Sequence, residues 1–280
     1  MNMKVDLCGV TLNNPVMTAS GTFGSGAEYA EFVDLNKLGA VVTKGVANVP
    51  WPGNPTPRVA EVYGGMLNAV GLQNPGIDLF VERDIPFLKQ FDTKIMVNVC
   101  GHSTEEYIEV VERLRDQPVD LLEINISCPN VKEGGIAFGQ DPKAVEAITK
   151  EMKKHAAQPV IMKLSPNVTD ITEMARAAEA GGADGLSLIN TITGMKIDIN
   201  RQKFVLANKT GGMSGPAIHP VAVRMVYQTA QAVSIPIVGM GGIMNAEDAI
   251  EMILAGATAV SVGTANFTNP HVTEEIVAGI

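Results

Sequence analysis

Eight short runs rich in Val, Ile, Leu and Ala recur along the 280-residue chain and constrain its fold more than any other feature. They are Val16–Ala19, Ala40–Thr43, Lys94–Val99, Leu121–Ile126, Val160–Leu164, Gly185–Ile189, Ile235–Met240 and Ala259–Val262. Several are apolar without alternation, as in Pro236–Met240, which is typical of parallel strands covered on both faces by helices. The runs therefore predict the interior strands of an α/β protein.

Segments of helical period separate these runs, and together they set the architecture. The clearest are Thr104–Arg115, Pro142–Lys154, Asp170–Ala180, Pro220–Ala232 and Asn245–Ala255. Helix-capping residues precede three of them, namely Ser103, Asp141 and either Thr169 or Asp170. Eight strand–helix units predict a closed (β/α)8 barrel, the TIM barrel.

Two segments lie outside the repeating pattern. The opening Val5–Leu12 alternates around Gly9, which predicts a small N-terminal β-hairpin that closes the floor of the barrel. The insertion Ala47–Leu72 is rich in Pro and Gly and has no helical period, so we expect a long functional loop there. We find no linker or internal repeat, and residues 1–280 are expected to form a single domain.

Charge and cysteine content exclude several classes of function. The formal net charge is -9 without a Lys/Arg cluster, so the chain lacks the basic footprint of a nucleic-acid or anionic-membrane partner. It shows neither a signal peptide nor a run of roughly 20 apolar residues, and we expect a soluble cytoplasmic protein. Three distant cysteines and four scattered histidines argue against a disulfide framework, an iron–sulfur cluster or a metal site.

Polar residues stand where six of the predicted strands end, which is where the active site of such a barrel forms. They are Ser20, Lys44, Asn98, Asn125, Cys128, Lys163, Asn190 and Thr191. A single Asn after a strand is usually a turn residue. A whole set would leave costly unpaired groups at the mouth unless a polar ring system fills it.

Glycines end the last two strands, in Met240-Gly241-Gly242 and Val262-Gly263-Thr264. Glycine lets backbone N–H groups approach an anion, and phosphate binding after strands seven and eight recurs in these barrels. Plain turn glycines would give the same pattern in one strand. Their agreement in both strands favours a phosphate-bearing cofactor.

Two mouth residues have reactive side chains with alternative roles. Lys163 is either a Schiff-base lysine or a cation beside a cofactor, and the lack of a carboxylate at the strand ends favours the cation. A cysteine is commonly a buried structural thiol, as we expect for Cys8 and Cys100. Cys128 instead follows a strand at the mouth, where lysines would lower its pKa and allow it to act as a base. The glycine-containing segment Val131–Gly139 predicts a lid over it.

Four motifs resemble those of class 1 dihydroorotate dehydrogenases, and the likeness spans nearly the whole chain. They are Thr43-Lys44-Gly45, Asn68–Gly76, Asn125-Ile126-Ser127-Cys128-Pro129-Asn130 and Gly212–Gly215. The third is highly specific, and Lys44-Gly45 with Gly71–Gly76 is similar to the 1B type. The resemblance implies a barrel with FMN at its mouth that oxidises (S)-dihydroorotate to orotate in pyrimidine biosynthesis.

The resemblance also implies roles for individual residues. Cys128 would remove the C5 proton of dihydroorotate, and Lys163 would offset the negative charge gained by reduced flavin. The residues implied to hold FMN are Ser20, Lys44, Gly45, Asn98, Asn125, Lys163, Ile189, Gly215, Gly241, Gly242, Gly263 and Thr264. Those implied to hold the substrate are Lys44, Asn68, Ala69, Val70, Gly71, Leu72, Asn125, Asn190 and Thr191.

Enzymes of the 1B type pass electrons to NAD, but this chain has neither a cysteine cluster nor a Gly-x-Gly-x-x-Gly turn after its first strand. The resemblance therefore implies an electron-transfer subunit carrying FAD and a 2Fe–2S cluster, in a heterotetramer built on a homodimer core. Three alternatives stay open: a fumarate-using 1A homodimer, an aldolase with a Schiff base at Lys163, and an FMN-binding subunit with an inactive site.

Overall fold

A computed structural model describes residues 3–128 and 136–280 of the chain. Pro129, Asn130 and the first part of the predicted lid lie outside the described residues. The strands of the barrel are β3 (Val16–Thr18), β4 (Ala40–Val42), β7 (Lys94–Val99), β8 (Leu121–Asn125), β9 (Val160–Lys163), β10 (Gly185–Leu188), β15 (Ile237–Met240) and β16 (Ala259–Val262). The other strands are β1 (Val5–Leu7), β2 (Val10–Leu12), β5 (Val59–Val62), β6 (Gly65–Asn68), β11 (Ile192–Met195), β12 (Ile197–Asp198), β13 (Lys203–Phe204) and β14 (Thr210–Ser214).

The helices follow the barrel strands. They are α1 (Ile77–Leu79), α2 (Ile85–Leu88), α3 (Thr104–Leu114), α4 (Ile136–Gly139), α5 (Pro142–His155), α6 (Ile171–Ala180), α7 (His219–Ala230), α8 (Ala246–Leu254), α9 (Ala265–Thr268) and α10 (Val272–Gly279). A π-helical turn, Phe80–Asp84, joins α1 to α2. Among the described residues, no helix combines the length and the apolar character that crossing a bilayer requires.

The barrel is closed by eight parallel strands in the order β3, β4, β7, β8, β9, β10, β15 and β16, and β16 pairs again with β3. The predicted (β/α)8 barrel is therefore confirmed. The register sets Asn125 of β8 beside Lys163 of β9, and Lys163 beside Ser187 of β10. Polar side chains of neighbouring strands consequently reach the same level of the barrel.

The core has two parts, one outside the barrel wall and one inside it. The outer core packs the helices against outward-facing residues such as Val97 and Ile124. The lower interior is apolar and includes Met17, Met96 and Val238, with Leu7 and Leu12 of the N-terminal hairpin packed against it. The hairpin pairs β1 with β2, and the packing of Leu7 and Leu12 against the lower interior agrees with its predicted place at the floor.

The segment Ala47–Leu72 has no helix, but it is only partly the long loop that its sequence predicts. It contains β5 and β6, which pair with each other and, through β6, with β14 and then β11 in a four-stranded sheet. Each of the two strands has only four residues, and β5 is half-exposed throughout. Their pairing with β14 spans a long stretch of sequence, which no local pattern reports.

Helix capping follows the sequence closely. The side chains of Ser103 and Asp141 accept hydrogen bonds from backbone N–H groups in the first turns of α3 and α5. At α6 the cap is Asp170 and not Thr169, because the Asp170 carboxylate accepts from the N–H of Thr172. These bonds satisfy donors that the helix itself leaves unpaired.

Truncation of Leu12 at the barrel floor tests the sealing role of the hairpin. Leu12→Ala should lower the free energy of unfolding by about 2–5 kcal/mol, because it removes a fully buried side chain from a packed interior. Chemical denaturation measures the change, with exposed Thr11→Ala on the same strand as the control. Equal small effects of both changes would show that the hairpin does not seal the barrel.

Candidate active site

A cleft of about 1180 Å³, counted to its open rim, lies at the C-terminal ends of the barrel strands. Its walls come from residues at the ends of seven barrel strands and from β6 and β14 of the four-stranded sheet. A concave cleft lined mainly by apolar groups, with a few convergent polar side chains, is the usual form of a site for a small ligand or cofactor.

Most of the predicted site residues lie on this wall. The predicted FMN residues found there are Ser20, Lys44, Asn125, Lys163, Ile189, Gly215, Gly241, Gly242, Gly263 and Thr264. The predicted substrate residues found there are Lys44, Asn68, Val70, Gly71, Leu72, Asn125, Asn190 and Thr191. Cys128 lies on the same wall. Residues far apart in sequence thus share one cavity, although their contacts with ligands stay a prediction.

Three predicted ligands lie behind the wall. Asn98 is fully buried, and a Cβ built on Gly45 would stand 3.0 Å from the Asn98 Oδ1 atom. Ala69 is buried against Leu67 and Leu206 under the four-stranded sheet. These positions support the wall from behind, and direct ligand contacts by them stay a prediction.

Cys128 differs from the other two cysteines, all three of which the structure describes. Burial, followed by the charges of Asp184 and Asp6, raises the pKa of the Cys8 thiol to about 12. Burial raises the pKa of the Cys100 thiol as well. Cys128 is the cysteine that reaches the cleft, where its 6% exposure leaves it accessible to a small ligand. The distinction made from the sequence therefore has a structural basis.

Lys44 brings a cation to the same wall. Burial lowers the pKa of Lys44, whereas negative charge on Cys128 and Cys100 raises it. A negative charge at Cys128 would therefore stabilise the ammonium form of Lys44. A thiol beside a cation is the arrangement that gives cysteine reactivity as a base or nucleophile.

A carboxylate lies directly below the cleft, in the middle of β8 and one level beneath the strand end. Glu123 of β8 is 1% exposed and points into the barrel. Its Oε2 atom accepts from Asn98 Nδ2 at 2.5 Å and lies 3.5 Å from Lys163 Nζ. Glu123 precedes Asn125 by two residues, so strand alternation puts both on one face and could have revealed it.

The glycine-rich end of the cleft forms a cradle for an anion. Gly241 and Gly242 have φ angles of 130° and 70°, which favour glycine. A Cβ on Gly242 would stand 2.7 Å from the Cβ of His219. Only residues without a side chain fit this turn, and backbone N–H groups can therefore approach a phosphate.

Two hydroxyl-bearing residues missed by the sequence predictions lie near this cradle. The Ser261 Oγ atom is buried and has no hydrogen-bond partner among the described residues, although Ser261 lines the cleft. The Ser214 Oγ accepts from the Thr264 hydroxyl at 2.7 Å. Ser261 precedes Gly263 by two residues, so the same alternation could have found it. The unpaired hydroxyl would suit a polar group of FMN, and the glycine cradle would suit its phosphate.

Metal binding has no comparable support in the described parts of the chain. Within residues 3–128 and 136–280, no three His, Cys, Asp or Glu side chains come together as metal ligands would.

Comparison with known families gives separate evidence on the family of this chain. The family model described as dihydroorotate dehydrogenase matches residues 2–280. The chain belongs to the dihydroorotate dehydrogenase family. The resemblance inferred from the motifs is thereby confirmed.

Relatives within the dihydroorotate dehydrogenase family place the chain more narrowly. A protein of Lachnoclostridium phytofermentans, named dihydroorotate dehydrogenase B (NAD(+)), catalytic subunit, is 74% identical over 100% of this chain and 93% of its own length. One of the same name from Alkaliphilus metalliredigens is 67% identical with the same coverage. The catalytic-subunit type inferred from Lys44-Gly45 is therefore confirmed.

A solved structure of DHODH from Eimeria tenella in complex with ferulenol shares the fold. It aligns with a TM-score of 0.82 and 23% identity over 99% of this chain and 83% of that chain. At this identity the likeness concerns the fold, and it agrees with the closed barrel.

The burial of Lys44 predicts a cost in stability that depends on pH. Lys44→Met should raise the melting temperature of the flavin-free chain by about 2–4 °C. The reason is that removal of the buried charge raises the free energy of unfolding by ~1 kcal/mol. Because the folded chain has the lower pKa at Lys44, the unfolded chain binds more protons just below the ordinary lysine range, and wild-type stability rises with pH there. That rise should disappear in the variant.

Thermal unfolding at a series of pH values measures both effects. Exposed Lys89→Met is the matched control and should change neither. A lower melting temperature for Lys44→Met would contradict the prediction.

Proposed function

We propose that this chain oxidises (S)-dihydroorotate to orotate in the de novo biosynthesis of UMP, with FMN as its bound cofactor and NAD as the final acceptor. The observation that carries the proposal is the position of Cys128 on a cleft whose other end is a glycine cradle, in a member of the dihydroorotate dehydrogenase family. We further propose that residues 1–280 act as one FMN-binding domain.

The proposed reaction removes a proton from C5 and a hydride from C6 of dihydroorotate, which leaves the C5–C6 double bond of orotate. Cys128 as a thiolate takes the C5 proton, and the neighbouring Lys44 cation favours the thiolate form. When bound, FMN supplies the acceptor for the hydride. Cys128 is thus the catalytic base of the proposed mechanism.

Amide side chains suit the substrate of this reaction. Asn68, Asn125 and Asn190 line the cleft, and an amide offers both a donor and an acceptor to a ring with carbonyl and N–H groups. Neutral amides add no charge that would repel the substrate carboxylate. Lys44 adds a cation that can pair with that carboxylate.

Lys163 has a role on the flavin side of the proposed site. It is 5% exposed, donates to Ser20 Oγ at 3.2 Å, and lines the cleft. A fixed cation there offsets negative charge that develops when a bound flavin is reduced. Its hydrogen bond to Ser20 and its ion pair with Glu123, 3.5 Å away, hold the ammonium in place.

A partner subunit completes the proposed electron transfer. Relatives of this chain are named catalytic subunits, which supports a second subunit, and we propose that it carries FAD and a 2Fe–2S cluster. We also propose a heterotetramer built on a homodimer of this chain. Exposed apolar side chains on β11, β12 and β13 offer a surface for the second copy. They include Met195, Ile197 and Phe204. The location that we propose is the cytoplasm, where NAD is a soluble cofactor.

Replacement of the base tests the central step. In an anaerobic titration, dihydroorotate should bleach the FMN absorbance of the wild-type protein. Cys128→Ser should slow that bleaching by about 10²-fold or more, because a hydroxyl is a much weaker base near neutral pH. Stopped-flow absorbance measures the rate.

Cys8→Ser at the barrel floor is the control for this experiment and should bleach at the wild-type rate. Bleaching of Cys128→Ser at the wild-type rate would remove Cys128 from the mechanism. Failure of the wild type to bleach would instead favour an inactive flavin-binding site.

The division of labour between subunits is tested with the purified chain. Alone, it should contain FMN and reduce an artificial acceptor with dihydroorotate, because the cleft and Cys128 both belong to this chain. It should reduce NAD only after the electron-transfer subunit is added, as followed by NADH absorbance. Rapid NAD reduction by the lone chain would contradict the proposed partner, and efficient use of fumarate would instead indicate a 1A enzyme.

A further inference from the structure

Glu123 forms a hydrogen-bonded centre inside the barrel, one layer below the cleft. Besides its contacts with Asn98 and Lys163, its Oε1 atom accepts from the Ser187 hydroxyl at 2.7 Å. A buried carboxylate is costly unless it is paired and hydrogen-bonded, and an apolar side chain would fill the same space without that cost. The arrangement therefore calls for a role beyond packing.

The chemistry of the carboxylate dictates the orientation of the amide above it. An ionised carboxylate accepts hydrogen bonds and cannot donate them. Asn98 must therefore turn its NH₂ group towards Glu123, which leaves the Asn98 Oδ1 atom to accept from Asn125 Nδ2 at 3.2 Å. The orientation of one buried amide thus decides that of the next.

The same sense continues to the far side of the cleft. The Asn125 Oδ1 atom accepts from the Ser127 hydroxyl at 3.1 Å, and the Ser127 Oγ atom accepts from Asn190 Nδ2 at 2.8 Å. The Asn190 Oδ1 atom accepts from the backbone N–H of Thr191 at 2.7 Å. Every bond in this chain donates in the direction of Glu123.

The chain of bonds decides what the cleft offers to a ligand. Asn125 and Asn190 line the cleft, and each has its amide oxygen engaged by a protein donor. Each NH₂ group has two N–H donors and gives one to the chain. The second N–H remains for the cleft, where it suits a carbonyl or carboxylate oxygen.

We propose that Glu123 is a positioning residue that acts through Asn98, together with the backbone N–H of Ser127, to fix the donor sense of the Asn125 amide towards the ligand. The backbone N–H of Thr191 fixes the Asn190 amide in the same sense. The inference rests on the proposed function, in which an oxygen of orotate or dihydroorotate is the acceptor that the Asn125 amide holds. Glu123 itself lies behind the wall and acts through Asn98.

A charge swap between Glu123 and Asn98 tests the inference. At a pH high enough to ionise both carboxylates, Asn98→Asp sets two buried negative charges against each other and should weaken orotate binding about 10²-fold. Glu123→Gln should cost only a few-fold, because its amide oxygen still accepts from Asn98 while its NH₂ donates to the Ser187 hydroxyl, which can rotate. In the double variant the introduced glutamine donates to the introduced aspartate, which still accepts from Asn125.

The double variant, Glu123→Gln with Asn98→Asp, should therefore bind orotate at least about tenfold more tightly than Asn98→Asp. If the two positions were independent, the effects on binding would add and Glu123→Gln would not restore affinity. Binding is measured at equilibrium from the change in absorbance of bound FMN, without turnover. Ser187→Ala, which leaves the chain from Glu123 to Asn190 intact, is the control and should stay within about threefold of wild type.

The outcomes separate the possible explanations. If Asn98→Asp does not fold, orotate affinity of the double variant close to that of Glu123→Gln supports the inference. A double variant that binds orotate no better than Asn98→Asp overturns it. Recovery of folding and FMN content without recovery of orotate binding also overturns it, because the pair would then be structural. Absence of orotate binding by the wild type would instead overturn the proposed function.

Discussion

Parallel pairing around a closed barrel is the constraint on which the rest of this structure depends. Because all eight strands run in the same direction, their C-terminal ends meet at one rim. Closure then brings Ser20 of the first strand beside Lys163 of the fifth, joined by a hydrogen bond of 3.2 Å. Residues that share no local pattern become neighbours through topology alone.

The interior of the barrel changes character from floor to mouth. The lower part is apolar and is sealed by Leu7 and Leu12, which keeps water from the base of the barrel. Above it lies a polar level around Glu123, whose carboxylate is satisfied by donors from neighbouring strands. Such a network is stable only when its members are paired, and it therefore holds its amides in one orientation. A rigid set of donors next to the Cys128 thiol is what a site for a small polar ring requires.

Individual residues show how far sequence reasoning extends. The strand ends, the glycines at 241–242 and 263, and Cys128 were predictable, because each lies at a fixed place in a repeating strand–helix unit. Glu123 and Ser261 were missed although they obey strand alternation, since a polar residue within a mostly apolar run is easily taken as incidental. The strands β5 and β6 were not predictable, because β6 pairs with β14, which is far along the chain and leaves no signal in the local sequence.

The sequence by itself determined the barrel, the place of the site at its mouth, the caps of its helices and, through its motifs, the dihydroorotate dehydrogenase family. These features follow from periodicity and from short runs of adjacent residues, which are local properties. Tertiary structure decided which polar groups touch, that Asn98 lies behind the wall, and that a carboxylate orders the amides beneath the Cys128 thiol. Those contacts depend on strand register and on closure of the barrel, because each joins side chains of strands that are distant in sequence.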